Sequence, residues 1–204
     1  IYKAVTFIYS NKFKRNVYKK STIANAENEW KKIWNETEKP FFMEINVWQP
    51  HAPYLLDREC KEVKDIIDYH LLGTEKVELS KEIEHYGNEI HCVNKQMISF
   101  IKSIKDKDPY SITVIISDHG HSFFTNMNIE PEKWTDKSII SRSANLWAVQ
   151  FPEKCNNRFY DTVSVVNTFR FVFSCIFNQK IPLLEDKVFV HGKGEYRFVL
   201  YSKK

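Results

Sequence analysis

The 204-residue sequence predicts an α/β fold with a largely parallel central sheet and antiparallel strands near the C-terminus. The first observation is a long amphipathic helix pattern, residues 80 to 103, followed closely by five β-branched residues, Ile112 to Ile116. A helix that leads into a wholly apolar strand is half of a β-α-β unit, whose strands are usually parallel. The second observation is the tail, where two short apolar runs flank "HGKG", residues 191 to 194, a pattern typical of a hairpin at a sheet edge.

The elements of the first half follow in chain order. Residues 4 to 10 are rich in β-branched and aromatic side chains and predict a short strand. Residues 24 to 38 carry apolar residues on one helical face and predict a helix that ends before Pro40. Residues 41 to 48 predict a second strand, which runs directly into the loop "QPHAPY".

The long helix of residues 80 to 103 has one apolar stripe, and Ser80 is its candidate N-cap. Residues 112 to 117 and 145 to 151 predict strands, and residues 164 to 177 predict a buried helix. The stripe of the long helix consists of Ile83, Tyr86, Ile90, Val93, Met97, Phe100 and Ile104, and the predicted buried face of the later helix consists of Val165, Phe169, Val172, Phe173 and Ile176.

Composition places the chain among globular proteins and limits its partners. With 43% hydrophobic and 15% aromatic residues the chain can bury a core, and its length fits one domain. The 30 basic and 26 acidic residues are interspersed and leave a formal net charge of +4. This mild bias favours an anionic small substrate over nucleic acid, which would require a stripe of Lys and Arg. The sequence does not indicate an oligomeric state.

The cysteines and the apolar runs say little about the cellular compartment. Cys60, Cys92, Cys155 and Cys175 are far apart and show no C-x-x-C spacing, so they indicate neither a zinc knuckle nor a dense disulfide framework. No apolar run reaches the ~18 residues that a membrane span needs. The N-terminus has neither an initiator Met nor a signal-peptide pattern, and we expect the chain to be part of a longer product.

Two predicted strands end in residues that carry chemistry. The strand of residues 41 to 48 leads to His51, and the strand of residues 112 to 117 leads to Asp118 and His119 in "SDHG". In an open parallel sheet, ligands bind beyond the carboxyl ends of the strands. A carboxylate oxygen and a neutral imidazole nitrogen are ligands for Zn²⁺, Mn²⁺ or a similar ion, and Gly120 permits a sharp turn behind them. The alternative is turn chemistry alone, in which the acid caps a helix and the imidazole bonds a backbone carbonyl.

Five segments in a fixed order carry a family resemblance: "FFMEINVWQPHAPY", "HYGNEIHCVNKQMISFIKSI", "ITVIISDHG", "SRSANLWAVQFP" and "VSVVNTFRFVFSCIFNQKIPLLED". Together they resemble the C-terminal part of a sulfatase-like protein of the alkaline phosphatase superfamily, and they are most similar to the bacterial membrane-anchored relatives of lipoteichoic acid synthases and phosphoethanolamine transferases. The resemblance implies an alkaline-phosphatase-like three-layer sandwich. It also implies a metal-dependent parent enzyme that hydrolyses or transfers sulfate or phosphate esters outside the cytoplasm, in the periplasm or at the cell surface, and that is tethered to the membrane by segments outside this chain.

The resemblance implies roles for individual residues. Asp118 and His119 would bind a divalent metal ion, Mn, Zn, Mg or Ca, which activates a Thr, Ser or formylglycine nucleophile and neutralises charge on the anionic group. His51 would contact the transferred phosphate or sulfate as a donor or general acid. Arg142 is a further candidate for binding an anionic oxygen of the substrate, although a surface arginine in a loop is the commoner case.

The sequence departs from the family pattern in two places. The family's nucleophile and its first metal-binding acid lie on an N-terminal strand that has no counterpart before residue 40. We therefore predict that residues 1 to 204 form a single domain that is the C-terminal portion of a catalytic domain. His121 follows "DHG" where many members have Glu or Pro, and it is either a third ligand or a bystander.

The remaining candidates have ordinary structural interpretations. His191 invites comparison with a distant C-terminal metal ligand of the superfamily, but its local pattern matches poorly, and we expect His70, His85 and His91 to be surface histidines. Trp48 either packs under the His51 loop or borders a substrate cleft. Two alternatives to an enzyme stay open: a non-catalytic relic that keeps the fold and binds a partner, and an unrelated α/β binding domain in which "DHG" is only a turn.

Overall fold

The computed structural model describes residues 3–7, 22–37, 40–64, 66, 79–125, 129–155, 159–191 and 198–201. The chain separates into two compact units, residues 1–106 and 107–204, and each is described by itself. Their presence does not test whether the whole chain forms one domain, which stays a prediction.

The first unit contains two strands and two helices: β1 (Lys3–Phe7), α1 (Ile23–Glu36), β2 (Phe41–Ile45) and α2 (Leu79–Lys107). β1 and β2 pair in parallel, with Lys3 opposite Phe41 and Phe7 opposite Ile45. The parallel direction of this pair agrees with the predicted parallel sheet. All four predicted elements are present; β2 is shorter than predicted, and residues 8–10 of the first predicted strand lie outside the described part of the chain.

Helix α1 shows why this part of the sequence is helical. Its N-cap is Thr22, whose hydroxyl accepts a hydrogen bond from the Asn25 amide at 3.3 Å, and this satisfies one of the donors that a helix start leaves open. The apolar face of α1 contributes Ile23 and Trp30 to the core of the unit, where they pack with Val93 and Phe100 of α2. The predicted amphipathic face is therefore the buried face.

Helix α2 is longer than predicted at both ends. It begins at Leu79, so the predicted N-cap Ser80 lies inside its first turn, and it continues to Lys107. Most of the predicted stripe is buried or half-buried, but Ile83 is 39% exposed because it lies at the end of the helix, away from the core cluster. A charged residue that the apolar stripe did not include, Glu89, is fully buried.

The second unit contains β3 (Thr113–Ile116), α3 (Asp136–Ser143), β4 (Trp147–Gln150), α4 (Thr168–Phe177), β5 (Val188–Val190) and β6 (Val199–Tyr201), with short 3-10 turns at Pro131–Lys133 and Val165–Asn167. β5 and β6 pair antiparallel, which confirms the predicted tail hairpin, while residues 192–197 lie outside the described part of the chain. None of the described helices is long and apolar enough to cross a membrane.

The pairing of β3 differs from the sequence prediction. β3 pairs antiparallel with β4, with Ile116 opposite Trp147, so a parallel pairing for this strand is wrong. The reason is that the chain leaves and re-enters the ladder at the same end: the Ser117 amide bonds the Leu146 carbonyl, and the Ser117 hydroxyl accepts from the Leu146 amide. The mixed helices and strands agree with an α/β fold, but a large parallel central sheet is not seen among the described residues.

The buried face of α4 is also different from the predicted one. Thr168, Phe171 and Val172 are buried, whereas Phe169 and Phe173 are 48% and 43% exposed. Two contacts with the ladder select this face: the Trp147 indole donates to the Thr168 hydroxyl at 2.6 Å, and the Phe171 ring lies 6.4 Å from the Trp147 ring. The buried face of α4 is therefore the one that contacts Trp147, and it differs from the face that hydrophobicity alone favoured.

Candidate active site

His51 lies in the loop that follows β2. The loop residues after it, Ala52 to Leu55, are buried, while His51 itself is exposed. The peptide bonds Gln49–Pro50 and Ala52–Pro53 are cis. The loop residues that follow His51 are thus packed inside the unit, whereas the imidazole of His51 is exposed.

The orientation of the His51 ring is set by one carbonyl and one neighbouring ring. Its Nδ1 lies 2.7 Å from the Ala52 carbonyl, which only accepts hydrogen bonds, so Nδ1 carries the proton and Nε2 keeps its lone pair in the neutral ring. The Trp48 indole donates to the same carbonyl at 3.1 Å, and its ring centroid lies 4.4 Å from that of His51. Of the two interpretations of Trp48, the structure supports packing against the His51 loop.

The buried carboxylate of Glu89, on α2, forms hydrogen bonds with this loop. The two oxygens of Glu89 accept hydrogen bonds from the Gln49 side-chain amide at 2.9 Å and from the Leu55 backbone amide at 3.0 Å. Gln49 in turn accepts from the backbone amide of Ile23 at the start of α1. Burial raises the pKa of Glu89 to about 6, and its two hydrogen bonds partly oppose that shift.

Sequence reasoning missed Glu89, although a signal was present. Glu89 lies three residues after Tyr86 and four before Val93, so it falls on the stripe that the helical period assigns to the core. A carboxylate in such a position needs hydrogen-bond partners. A disulfide between Cys60 and Cys92 joins the same helix to the chain that follows the loop.

The second predicted group forms the turn at the end of β3. Asp118 is exposed and its Oδ1 accepts a hydrogen bond from the His119 amide at 3.0 Å. The turn rests on the end of α3, where the Gly120 amide donates to the Arg142 carbonyl at 2.8 Å. A Cβ at Gly120 would meet the Ser141 and Ala144 carbonyls, so only glycine fits this close approach.

The proton of His119 has two possible positions in this geometry. Its Nδ1 lies 2.7 Å from the Gly120 carbonyl, which requires Nδ1 to donate, and 2.8 Å from Arg142 Nη1, which requires Nδ1 to accept. Arg142 Nη1 also donates to the Gly120 carbonyl at 3.3 Å. When Nδ1 donates to Gly120, the Nε2 lone pair is available to a metal ion.

The remaining atoms of this pair fit a shared cation. His119 Nε2 and Asp118 Oδ2 are 3.5 Å apart. Ligand atoms that lie about 2.0 to 2.2 Å from one ion are about 3 to 3.5 Å from each other, so both atoms can reach the same ion. No group of three or more His, Cys, Asp or Glu side chains able to hold a metal occurs among the described residues. Asp118 and His119 therefore provide one edge of a site that needs further ligands.

Arg142 lies beside this edge. It belongs to the last turn of α3, and not to a loop as the sequence indicated. Burial lowers the pKa of its guanidinium, and the negative charge of Asp118 opposes that effect. Arg142 can thus compensate the charge of the acid and position the Gly120 carbonyl, and its predicted contact with an anionic substrate stays a prediction.

The other histidines have separate environments. His121 packs with its ring centroid 4.6 Å from that of Phe123, and burial lowers its pKa. His191 is exposed, with its ring 5.5 Å from that of Phe198. His91 is exposed as expected, His85 is half-buried, and His70 lies outside the described residues. The structure brings Asp118, His119 and Arg142 together, whereas His51 belongs to the other unit and is described there.

Comparison with known proteins identifies a family. The family model described as Sulfatase matches residues 3–160. The chain is also similar to an endo-4-O-sulfatase of Bacteroides thetaiotaomicron, with 26% identity over 138 residues that cover 62% of this chain and 26% of that protein. The chain thus spans about a quarter of the length of this curated relative. No solved structure matches the chain.

Proposed function

The chain belongs to the sulfatase family, and from this we propose that it supplies part of the active site of a metal-dependent hydrolase of sulfate esters. In this proposal Asp118 and His119 bind a divalent cation, and His51 binds the anionic group of the ester. The observation that carries the proposal is the 3.5 Å separation of Asp118 Oδ2 and His119 Nε2 beside a carbonyl that fixes the ring. The relative from Bacteroides thetaiotaomicron is an endo-4-O-sulfatase, which favours a sulfate ester as the substrate.

The residues of this chain have distinct tasks in the proposed reaction. A bound divalent ion supplies Lewis acidity toward the nucleophile and the anionic group. Asp118 provides a negative oxygen and His119 a neutral nitrogen, and donation from Nδ1 to the Gly120 carbonyl gives the His119 ring the tautomer that binding requires. His51 is exposed and its Nδ1 is bonded to the Ala52 carbonyl, so in this proposal the protonated ring donates from Nε2 to an ester oxygen.

Phosphate ester hydrolysis or transfer is the second candidate function. It is favoured by the likeness of the "H-x-P-Y" and "DHG" segments, His51 to Tyr54 and Asp118 to Gly120, to those of membrane-anchored transferases. Sulfate and phosphate groups are both tetrahedral oxyanions, so the same histidine and cation chemistry serves either.

Two disulfides support a location outside the cytoplasm. Cys60 pairs with Cys92 and Cys155 with Cys175, so every cysteine in the sequence is oxidised. Such bonds persist in the periplasm or at the cell surface and are rare in the cytosol. We propose an extracytoplasmic protein that associates with the membrane only through segments outside this chain.

Metal titration of this chain tests the proposed site. Isothermal titration with Mn²⁺, Zn²⁺, Mg²⁺ and Ca²⁺ should show binding of at least one ion, and Asp118→Ala should weaken it at least about tenfold, because half of the described ligand pair is removed. Asp161→Ala is the matched control, since it removes the same charge from an exposed turn of the same unit.

A second pair of variants tests the ligand assignment. His119→Ala should weaken metal binding as Asp118→Ala does, whereas His121→Ala should leave it unchanged because its ring packs on Phe123. Equal binding by the unsubstituted chain and Asp118→Ala would contradict the proposal. Correct folding without any metal binding would favour the non-catalytic relic, or a domain in which "DHG" is only a turn.

A further inference from the structure

We propose that Glu89 is a positioning residue for His51, because its carboxylate holds both ends of the loop that presents the imidazole. The proposal deepens the function proposed above and rests on it for the role of His51. Glu89 lies on α2 and bonds the two ends of the loop, so it acts through the backbone that carries the ring.

One carboxylate closes the loop at two points. Oε1 accepts from the Gln49 side chain at the start of the loop, and Oε2 accepts from the Leu55 amide at its end. His51 lies between these two residues, two positions after the first and four before the second. The loop ends are therefore fixed on a single turn of α2, and the exposed imidazole lies between them.

The His51 ring is hydrogen-bonded to the loop segment between Gln49 and Leu55, which Glu89 anchors at both ends. His51 Nδ1 donates to the Ala52 carbonyl, and Ala52 is buried between the two anchored residues. The direction of Nε2 thus depends on the path of the backbone from Gln49 to Leu55. A shift of either end would turn the face that His51 offers to a ligand.

The chemistry of Glu89 indicates a role beyond filling space. It is 0% exposed, and within the described part of the chain its carboxylate accepts from two neutral N–H groups and forms no ion pair. A buried carboxylate destabilises the fold unless hydrogen bonds compensate for lost hydration, and an apolar side chain of similar size would pack at lower cost. What the carboxylate adds is a pair of acceptors aimed at two donors of one loop.

The hydrogen bonds that connect Glu89 to the loop, which we call the loop anchor, continue through Gln49 to α1. Gln49 Oε1 accepts from the Ile23 amide at 3.2 Å, so the amide of Gln49 is oriented with its NH₂ group toward Glu89. Ile23 is at the first turn of α1, where backbone donors have no partner inside the helix. The three hydrogen bonds that join Ile23, Gln49, Glu89 and Leu55 therefore satisfy two buried backbone amides and two buried polar side chains.

Glu89→Gln is the direct test. The substitution keeps the shape but replaces one acceptor oxygen with an NH₂ donor, which must then face either Gln49 or the Leu55 amide. We expect the His51 ring signals and their pH titration, followed by NMR, to differ from those of the unsubstituted protein, and the Leu55 amide to exchange faster. Glu84→Gln, an exposed carboxylate on α2, is the matched control and should change neither signal.

A second variant covers the case in which Glu89→Gln does not fold. Gln49→Met keeps the volume and removes both the donor to Glu89 and the acceptor of the Ile23 amide, and it should change the His51 titration while Glu89 and Leu55 stay paired. If every folded variant keeps the His51 titration of the unsubstituted protein, the positioning role is wrong. In the full-length protein, we expect Glu89→Gln to lower kcat/KM for a sulfate ester about 10- to 100-fold, a size typical of small misplacements of a reacting group.

The outcomes separate this inference from the proposed function. If the protein binds no metal and hydrolyses no ester, yet Glu89→Gln changes the His51 titration, the proposed function fails and the positioning contact stands. If ester hydrolysis depends on Asp118 but neither the rate nor the His51 titration responds to Glu89→Gln, the proposed function stands and the positioning role fails.

Discussion

His51 and His119 are oriented by the same local device. In each, Nδ1 lies 2.7 Å from the carbonyl of the next residue, Ala52 in one case and Gly120 in the other. An i to i+1 contact of this kind needs no distant partner and leaves Nε2 facing away from the backbone. In both predicted site histidines, the contact of Nδ1 with the next carbonyl thus leaves Nε2 as the atom that can bind a ligand. Arg142 adds a competing donor at His119, which makes that ring more sensitive to its surroundings.

Glu89 gives a pH-dependent prediction. Its pKa is raised from 4.5 to about 6, so between these values the folded state holds a proton that the unfolded state has released. The stability from this group is therefore fully present below pH 4.5 and is lost as pH rises through about 6, with an amplitude of about 2 kcal/mol. Urea unfolding measured from pH 4.5 to 7 should show this slope, and Glu89→Gln should remove it. An unchanged slope in that variant would show that another group titrates.

At the scale of elements, α2 organises the first unit around the His51 loop. Glu89 holds the loop ends, and Cys92, less than one turn later, is bonded to Cys60 just beyond the loop. A local turn fills the gap between these anchors, where the Asp57 carboxylate accepts from the Glu59 and Lys61 amides. One face of one helix therefore fixes the chain from Gln49 to Cys60.

The two disulfides should differ in their effect on this loop. Replacing either pair by serine should lower the free energy of unfolding by about 3 to 4 kcal/mol, because bonds that close 32 and 20 residues restrict the unfolded chain to a similar degree. We expect only the Cys60→Ser/Cys92→Ser variant to speed amide exchange at Lys61 and Val63 and to change the His51 NMR signals. The Cys155→Ser/Cys175→Ser variant is the control, since it belongs to the other unit. Equal effects of both variants on His51 would contradict a local role.

Sequence patterns predicted which elements exist better than how they pair. The period of α2 and the β-branched run of β3 are local signals, and both elements are present. The antiparallel pairing of β3 with β4 is set by hydrogen bonds between Ser117 and Leu146, which are far apart in the sequence. For the site, the "DHG" turn was evident because adjacent residues form it. The hydrogen bond of Trp147 to Thr168 and the loop anchor at Glu89 depend on contacts that no local window contains.

At the scale of the whole molecule, each unit carries one disulfide and one part of the predicted site. The first unit holds His51 with the Cys60–Cys92 bond, and the second holds Asp118 and His119 with the Cys155–Cys175 bond. A tetrahedral oxyanion ester needs a cation and a proton donor at the same centre. The proposed function therefore assigns cation binding to Asp118 and His119 of the second unit and proton donation to His51 of the first unit.

Catalysis by the full-length protein tests the roles proposed for Asp118 and His51. With 4-nitrophenyl sulfate as substrate, a chelator should abolish hydrolysis and a divalent ion should restore it, while Asp118→Ala should not be restored, because its metal edge is lost. His51→Gln should lower kcat yet leave metal binding by this chain unchanged, since its side chain is proposed to meet the ester and not the ion. His91→Gln, an exposed histidine of α2, is the matched control. Faster turnover of 4-nitrophenyl phosphate, or transfer to an added alcohol, would move the assignment from sulfatase to phosphoester chemistry. Full activity in His51→Gln would contradict the proposed role of His51 and leave only the proposed metal ligands Asp118 and His119.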